Sequence, residues 1–529
     1  MTALAVGAGR GHALAQPAPA YADWIPPSPK PPRRGGTLAR ASAWDPPVID
    51  PRLTQSVGLF QFATLTSNRL VRYPFADEAA GVTDLTLKGD LAESWQSNAD
   101  ARVWTFKLRQ GVKWQNVPPL NGRELVAADV KYCFEAYAKE GVQGFTFQEI
   151  EAIETPDRYT LRVHLKTPNT LFAHNVAEPV TIIFAREVLE EDGDLKKRLI
   201  GTGPYVLKEH TRKVRVVLAR NPDYFDKGRP YVDEYVILSA PDSATRLAAF
   251  RTGQSDILWV AGVSEAEAIR KTNPSSVIQE IKNTLAPFGL GLAQDRAPFN
   301  DLRVRRAISM AIDRQKQVDT VFEGHGMLGW GVPYIYYQDK PPTAAQLGSW
   351  WQFRPAEAKR LLAEAGYPNG FDAGELTPAS PYTSLGEAVA NYLAAVGIKT
   401  KLRTMERAAF QTARNAKQLR GLCVCASARY GNAATRIEEV VVSTGVYARG
   451  GYPDIDALFK QQDSETDRAK REALLHQIQQ LMHERVMFAP IWLYIWPSGI
   501  GPRVEDPALM SINPYPWSAP LEDVRLKQG

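Results

Sequence analysis

Two of the three cysteines are separated by one residue, a spacing that can serve metal binding or thiol redox chemistry. Cys423 and Cys425 lie in the short apolar run Leu422–Ala426, which predicts a β-strand. Residues i and i+2 of a strand point to the same face, and no second Cys or His pair lies nearby to complete a metal site. We therefore expect Cys423 and Cys425 to be buried free thiols.

The seven histidines show no metal-ligand spacing of the H-E-x-x-H kind. His476 and His483 could share one face of a helix, but two ligands do not make a metal site. We expect these histidines to be exposed or to cap a helix end. The sequence thus indicates no metal and no other cofactor.

The segment Gly324–Gly329 has the G-x-G-x-x-G spacing of a dinucleotide-binding turn. That turn requires a strand before it and a helix after it. Here a predicted helix ends near Phe322 and the loop Trp330–Pro333 follows, so we reject nucleotide binding. The sequence also contains no phosphate-binding G-x-x-x-x-G-K-[ST] motif and no G-x-S-x-G nucleophile elbow, which argues against an ATPase or an acyl-transfer enzyme.

The length of 529 residues exceeds one ordinary core and predicts two or three domains. Lys and Arg number 63 against 58 Asp and Glu, and no basic run follows the pattern of nucleic-acid binding. No stretch of about 18 apolar residues suggests a membrane span.

The first residues are weakly apolar, and Ala13-Leu14-Ala15 has the A-x-A form of a signal cleavage site. A basic start and a long apolar core are missing, so we interpret residues 1–15 as the end of a secretory signal. The alternative is a disordered Ala/Gly/Pro tail. The proline-rich residues 16–35 predict an extended leader.

Strands and helices alternate in several blocks beyond this leader, which predicts a mixed α/β (α+β) protein. Val103–Leu108 alternates as a half-buried strand, while Thr54–Leu70, Ala127–Lys139 and Arg468–Arg485 have helical patterns. The helix Arg303–Arg314 begins after Asp301, which is placed as a cap. Its apolar residues form one stripe at helical spacing, with its arginines mostly off that stripe.

The amino-acid identities in this helix are more specific than its apolar periodicity. Phe299–Arg314 resembles the "RxAxxxAIDR" passage of the periplasmic peptide- and nickel-binding proteins, the family 5 solute receptors of ABC importers. Further segments resemble passages of the same family in the same order, and they are Leu91–Trp95 with Trp104–Trp114, Ala127–Val130, Gly201–Tyr205 with Asn221–Phe225, and Arg354–Tyr367.

The resemblance implies a bilobal periplasmic-binding-protein fold of the large three-domain type, with a hinge between the lobes. It assigns residues 36–70, 199–285 and 490–529 to lobe I, residues 71–198 to an accessory domain on that lobe, and residues 286–489 to lobe II. Residues 1–35 remain as signal remnant and leader.

The informative departure from the family follows Cys425. Peptide-binding members commonly carry a "GWxxDxxDP" segment here, whose aspartate pairs with the amino terminus of the ligand. This chain has no carboxylate between Glu406 and Glu438. Arg429 and Arg436 instead suit a carboxylate or phosphate, which arginine binds bidentately. We therefore expect a ligand with an anionic or hydroxylated group, although Arg429 could equally be a surface loop residue.

Aromatic residues in loops complete the predicted binding site. Tyr430 offers a flat face and a hydroxyl beside Asn432, and Trp44, Trp330 and Trp496 lie in loops near Gly or Pro. Trp95, Trp104 and Trp114 belong to the motif passages and are interpreted as structural.

The resemblance implies a monomeric periplasmic receptor without enzymatic activity, which captures a small molecule by lobe closure and docks on an ABC permease. The ligand class is peptide-like, an opine or sugar conjugate, or a metal chelate. No Cys follows the signal-like region, so a lipid anchor is not indicated. Two alternatives stay open, a ligand sensor and a hydrolase on the same scaffold.

Overall fold

The computed structural model describes residues 30–43, 45, 48–54, 57–74, 86–142, 144–259, 263–281, 287–324, 326–328, 346, 348–378, 382–426, 433–445, 447–494, 496–506 and 521–527. Its strands are β1 (Thr37–Ser42), β2 (Val71–Arg72), β3 (Lys88–Gly89), β4 (Ala92–Ser97), β5 (Val103–Leu108), β6 (Ile150–Asp157), β7 (Thr160–Leu165), β8 (Tyr205–Thr211), β9 (Arg215–Arg220), β10 (Glu234–Ser239), β11 (Ile257–Trp259), β12 (Val277–Ile281), β13 (Pro287–Gly291), β14 (Gly326–Met327), β15 (Phe371–Pro378), β16 (Ile398–Leu402), β17 (Leu422–Ala426), β18 (Phe488–Tyr494), β19 (Trp496–Ile500), β20 (Val504–Asp506) and β21 (Arg525–Leu526).

The α-helices alternate with these strands. They are α1 (Val57–Thr66), α2 (Ala127–Lys139), α3 (Gly144–Gln148), α4 (Phe172–Asn175), α5 (Arg186–Asp192), α6 (Ser243–Arg251), α7 (Val263–Thr272), α8 (Leu302–Ala311), α9 (Arg314–Val321), α10 (Pro355–Glu364), α11 (Thr383–Ala395), α12 (Arg407–Asn415), α13 (Ala433–Val440), α14 (Pro453–Ser464) and α15 (Arg468–Glu484). The predicted mixed α/β class is confirmed. None of the described helices combines the length and apolar character needed to cross a bilayer.

Three larger sheets organise these elements. A seven-stranded sheet has the order β12-β19-β11-β1-β10-β9-β8, and a six-stranded sheet has the order β14-β18-β13-β17-β15-β16. Both are mixed, because β1 runs parallel to β10 and β11, and β15 runs parallel to β16 and β17. The third sheet, β4-β5-β7-β6, is antiparallel.

The two mixed sheets define two parts of the molecule. We call residues 30–281 and 496–527 lobe I, residues 86–198 within it the accessory region, and residues 287–494 lobe II. The buried members of each hydrophobic cluster in the described residues come from one lobe only. The accessory region shares the main cluster of lobe I, which includes both Leu38 of β1 and Trp104 of β5.

The chain passes between the lobes twice, at neighbouring positions. β12 in the first sheet precedes β13 in the second, and β18 in the second sheet precedes β19 in the first. Ile281 pairs with Trp496 on one side, and Pro287 pairs with Leu493 on the other. β18 stays in the second sheet to Tyr494, five residues beyond the predicted boundary at residue 489.

The helix predicted over Arg303–Arg314 is divided into α8 and α9, with Ile312 in extended conformation between them. Asp301 caps α8 as predicted, because its side chain accepts a hydrogen bond from the Arg303 amide at 2.8 Å. The apolar stripe is buried. Two arginines off that stripe are buried as well, and the Arg314 guanidinium donates to the carbonyls of Ser309 and Trp351.

The helix predicted over Thr54–Leu70 is shorter, because α1 ends at Thr66. Beyond it the buried carboxylate of Asp90 accepts hydrogen bonds from the Asn68 side chain and the Arg69 amide, at 2.7 and 2.9 Å. A Cβ added to Gly203 would overlap the backbone at the end of α1, so this glycine permits the close approach.

Candidate functional site

A cavity of about 760 Å³ lies between the accessory region and lobe II. The accessory wall comes from the end of α3, the residue before β6, and the segment around α4. The opposite wall comes from α13, α14 and the turn between them. The two walls therefore belong to different lobes.

The lobes touch at one rim of this cavity. The amide of Thr170 donates to the Asp463 carbonyl at 3.0 Å, and the Arg471 guanidinium reaches the Thr170 hydroxyl at 3.4 Å. Leu171 packs against the apolar cluster of lobe II formed by α13, α14 and α15. These contacts join the accessory region to lobe II.

The described lining of the cavity is acidic. Its carboxylates are Glu149, Glu438, Glu439, Asp456 and Asp463, and its one described cationic side chain is Lys460. The pKa of Asp463 lies well above its ordinary value, because the carboxyl is removed from water and the negative charges of Glu438 and Glu149 lie nearby.

Arg436 is the one predicted site residue whose side chain falls within the described residues. It lies in α13 and is 6% exposed, and its Nη1 is 3.9 Å from Oε2 of Glu439 in the same helix. The neighbouring residues Thr435 and Glu439 line the cavity. Arg436 is therefore buried in α13 beside a carboxylate of its own lobe, and it is not itself one of the residues that line the cavity.

The other predicted site residues lie wholly or partly outside the described residues. Trp44, Trp330, Arg429, Tyr430 and Asn432 lie outside the described residues. The backbone of Trp496 begins β19, directly after the second passage between the lobes, but its side chain is outside the described part. The described part of the predicted site thus consists of Arg436 and the backbone of Trp496.

The prediction of two free thiols at Cys423 and Cys425 is wrong, because a disulfide joins them. Both lie on β17, where the i and i+2 side chains share a face, and their Cα atoms are 5.6 Å apart. That separation is within the range that a disulfide spans. Residues i and i+2 of a strand share a face, which led us to expect that both cysteines are buried together. The same arrangement also permits a disulfide between them.

The disulfide borders a second cavity, of about 220 Å³, in lobe II. The partly buried guanidinium of Arg449 lies at its wall, and its Nη2 donates to the carbonyls of Leu419 and Gly421 at 2.6 and 2.5 Å. Burial and the nearby charge of Arg414 lower the pKa of Arg449 to about 10. Because its Nη2 is bound to these two backbone carbonyls, Arg449 holds the loop before β17.

The buried histidines are neutral and structural. The expectation of exposure or capping is wrong for His483, which is 7% exposed against the ring of Trp351. Burial and the charge of Arg314 lower its pKa to about 3. Burial likewise lowers the pKa of His174 to about 4. Within the described ranges, no three metal-binding side chains of His, Cys, Asp or Glu gather as a metal site.

Sequence reasoning missed the acidic wall. Glu149 stands between α3 and β6, and Asp463 stands near the end of α14, so more than 300 residues separate them. No local motif marks either residue. The one sequence feature that could have indicated this wall is the position of Glu438, which lies close to the segment after Cys425.

A sequence profile of bacterial extracellular solute-binding proteins, family 5 (middle region), matches residues 86–446. Heme-binding protein A of Haemophilus influenzae is 26% identical over 472 residues, which cover 83% of this chain and 83% of that protein. The match therefore extends over both lobes.

Solved structures share the whole fold. The periplasmic binding protein DppA from Helicobacter pylori, in complex with the peptide STSA, superposes with a TM-score of 0.83 at 23% identity, covering 94% of this chain and 99% of that one. AgaA from A. tumefaciens R10, in complex with agropinic acid, superposes with a TM-score of 0.81 at 25% identity, covering 93% and 99%. The predicted bilobal binding-protein fold is thus confirmed.

Proposed function

The chain belongs to the bacterial extracellular solute-binding proteins of family 5, and from this premise we propose that it captures a small organic solute between its lobes for an ABC importer. The observation that carries this proposal is the cavity of about 760 Å³ whose walls come from the accessory region and from lobe II. A solute there would contact both lobes at once.

The mechanism is hinge closure about the two neighbouring passages of the chain between the sheets. The pairs Ile281–Trp496 and Pro287–Leu493 lie on either side of this hinge. Opening would separate Leu171 from the apolar cluster of lobe II and would expose both walls of the cavity. A solute that touches both walls binds the closed form more tightly, and this difference shifts the population towards closure.

The solute site proper is proposed to centre on the segment after β17. Arg429 and Arg436 would bind a carboxylate or phosphate, and Tyr430 and Asn432 would add hydrogen bonds. Trp44, Trp330 and Trp496 would enclose apolar parts of the solute. The absence of any carboxylate between Glu406 and Glu438 supports this proposal, as does the position of Arg436 on α13, the helix whose Thr435 and Glu439 line the cavity.

The named relatives give a range for the ligand class. Their names and titles refer to heme, to a tetrapeptide and to agropinic acid. We propose for this chain a solute of that size range with an anionic or hydroxylated group. It would be bound in the periplasm by a monomer without a lipid anchor, and released to a membrane permease chemically unchanged.

Native mass spectrometry of the freshly purified chain tests this function first, because a bound solute appears as a defined added mass. Scattering with and without the recovered solute should then show a smaller radius of gyration for the complex. The replacement Arg429→Gln should weaken solute binding, whereas Arg420→Gln, at an exposed arginine of the same lobe, should leave it unchanged. The proposal fails if no solute changes the shape, or if a solute is recovered as a product.

A further inference from the structure

The second cavity of lobe II places a disulfide among cationic side chains. We propose that the disulfide between Cys423 and Cys425 is a site of thiol–disulfide exchange, and that a small thiol carrying an anionic group becomes bound there to Cys425. The proposal concerns the cavity of about 220 Å³ and not the interlobe cavity, so it goes beyond the receptor function and does not rest on it.

The disulfide can be reached from the cavity through one of its two sulfurs. Both cysteines line the cavity, but Cys423 is 1% exposed whereas Cys425 is only partly buried. Gly291 on the neighbouring strand makes room for Cys423, because a Cβ added there would lie 2.9 Å from its Sγ. Cys425 is therefore the cysteine that an entering thiolate can attack.

A cationic group lies beside the other sulfur. Nη1 of Arg449 donates to Sγ of Cys423 at 3.6 Å, while its Nη2 is fixed on two backbone carbonyls. With a pKa of about 10, the guanidinium keeps its charge at neutral pH. A cation beside a sulfur stabilises the thiolate that forms when the disulfide opens, and a more stable thiolate leaves faster. Arg449 therefore favours the release of Cys423 and the attack at Cys425.

The exchange balances in atoms and electrons. The thiol loses its proton to the buffer, and its sulfur forms a bond to Sγ of Cys425 while the bond between the two cysteine sulfurs breaks. The electron pair of the broken bond stays on Cys423, whose thiolate lies beside Arg449. The incoming sulfur is oxidised and Cys423 is reduced, so no other oxidant or reductant takes part.

The lining of the cavity selects the charge of the thiol. Its described cations are Arg296, Arg414, Lys417 and Arg449, and its one described carboxylate is Asp295. Asp295 forms an ion pair with Arg296 at 2.9 Å, and the lining as a whole remains positive. A positively lined cavity concentrates anions and speeds their entry. The thiol that reacts best should therefore carry a negative group such as a carboxylate.

The size of the cavity and the position of Arg414 narrow the ligand further. The guanidinium carbon of Arg414 lies 3.5 Å from the ring centroid of Tyr447, which fixes this cation at the cavity wall. Pockets for drug-sized ligands measure about 300–1,000 Å³. A cavity of about 220 Å³ fits a thiol with only a few carbon atoms.

Exchange with two short thiols of opposite charge, 3-mercaptopropionate and cysteamine, tests the proposal on the oxidised full chain. Acid stops the reaction at chosen times, intact-mass spectrometry detects the addition of one thiol, and peptide mapping locates it. Each rate is divided by the rate of the same thiol with hydroxyethyl disulfide, which corrects for differences in acidity and nucleophilicity. We expect the corrected rate of 3-mercaptopropionate to be at least about tenfold higher at low ionic strength, with the adduct on Cys425. High salt should reduce the difference.

Variants of the cavity wall provide the second measurement. Arg414→Gln and Lys417→Gln should each lower the preference for 3-mercaptopropionate several-fold, and the exposed position of Lys417 makes its variant safe for folding. Arg360→Gln, at an exposed arginine of α10, should leave the preference unchanged. Absence of an adduct, an adduct on Cys423, equal corrected rates for the two thiols, or an unchanged preference in both wall variants overturns the proposal. The receptor function would stand in each of these cases, because no interlobe solute is used.

Discussion

Asp463 couples the cavity to pH through its own ionisation. Its pKa is raised in the folded protein by burial and by Glu438 and Glu149, whereas the unfolded chain has the ordinary value. The folded state therefore keeps a proton that the unfolded state has already lost. The stability from this proton is fully present below the ordinary pKa and is lost as the pH rises through the raised folded value.

The change Asp463→Asn should therefore stabilise the solute-free protein at pH 8, because asparagine resembles the protonated acid at any pH. We expect a rise in melting temperature of about 2 °C, which shrinks towards zero at pH 4. Differential scanning calorimetry at the two pH values measures this. Asp319→Asn, on the exposed side of α9, serves as the control. A lower melting temperature at pH 8 would contradict the electrostatic argument.

The cysteines allow a direct count of thiols. With Cys423 and Cys425 joined, Cys133 is the remaining thiol, and it is fully buried with a pKa raised by that burial. The folded protein should therefore resist iodoacetamide, and the denatured chain should add one label without reductant and three with it. Intact-mass measurement gives the number. Three labels in the absence of a reductant would show that the disulfide does not form.

At the scale of single elements, the N-terminal cap of α8 can be tested by substitution. Its cap depends on the hydrogen bond from the Arg303 amide to the Asp301 carboxylate. Asp301→Ala should lower the free energy of unfolding by about 1 kcal/mol, whereas Asp301→Asn, which keeps an acceptor oxygen, should lower it by less. Urea titration followed by circular dichroism measures both. Equal losses would mean that the ion pair with Arg303, and not the cap, stabilises this end.

Local patterns predicted the elements that local interactions determine. The bounds of α2 and β5 match the prediction, since their periodicity continues to a break in the pattern. α1 ends four residues early because Asp90, from a distant segment, binds the chain at Asn68 and Arg69. Arg305 is buried although it lies off the apolar stripe, because its guanidinium donates to carbonyls of other segments, including that of Arg485. The apolar periodicity of one segment does not show such contacts with distant segments.

For the whole molecule, the resemblance of motifs gave the bilobal arrangement, but no residue pattern gave the cavity. Its walls combine residues near 149 and 171 with residues near 438 and 463. Only the contact between the two lobes brings them together. The acidic lining of this cavity therefore could not be derived from one segment.

The rim contact of Leu171 predicts how closure can be weakened. Placing a charge there by Leu171→Asp would oppose its packing against the cluster of lobe II and favour the open form. Leu171 is partly buried, so its contact contributes less than the ~1.5–3 kcal/mol of a fully buried leucine, and we expect solute affinity to fall several-fold. Calorimetry and small-angle scattering, with a larger radius of gyration expected, measure these effects.

Leu53→Asp provides the control for this prediction, because Leu53 is an exposed leucine of lobe I. It should change neither the radius of gyration nor the affinity. If Leu171→Asp leaves both quantities unchanged as well, the rim contact does not contribute to closure.

The neighbouring passages between the sheets also bear on how such a protein could arise. Lobe II starts and finishes at paired strands, and the buried members of its described hydrophobic clusters all come from its own residues. A stretch of DNA encoding residues 287–494 could therefore be inserted into, or exchanged within, the gene for lobe I while leaving the seven-stranded sheet in register. Recombination at the two ends of this stretch would replace the whole of lobe II, and with it one wall of the interlobe cavity, in a single genetic event.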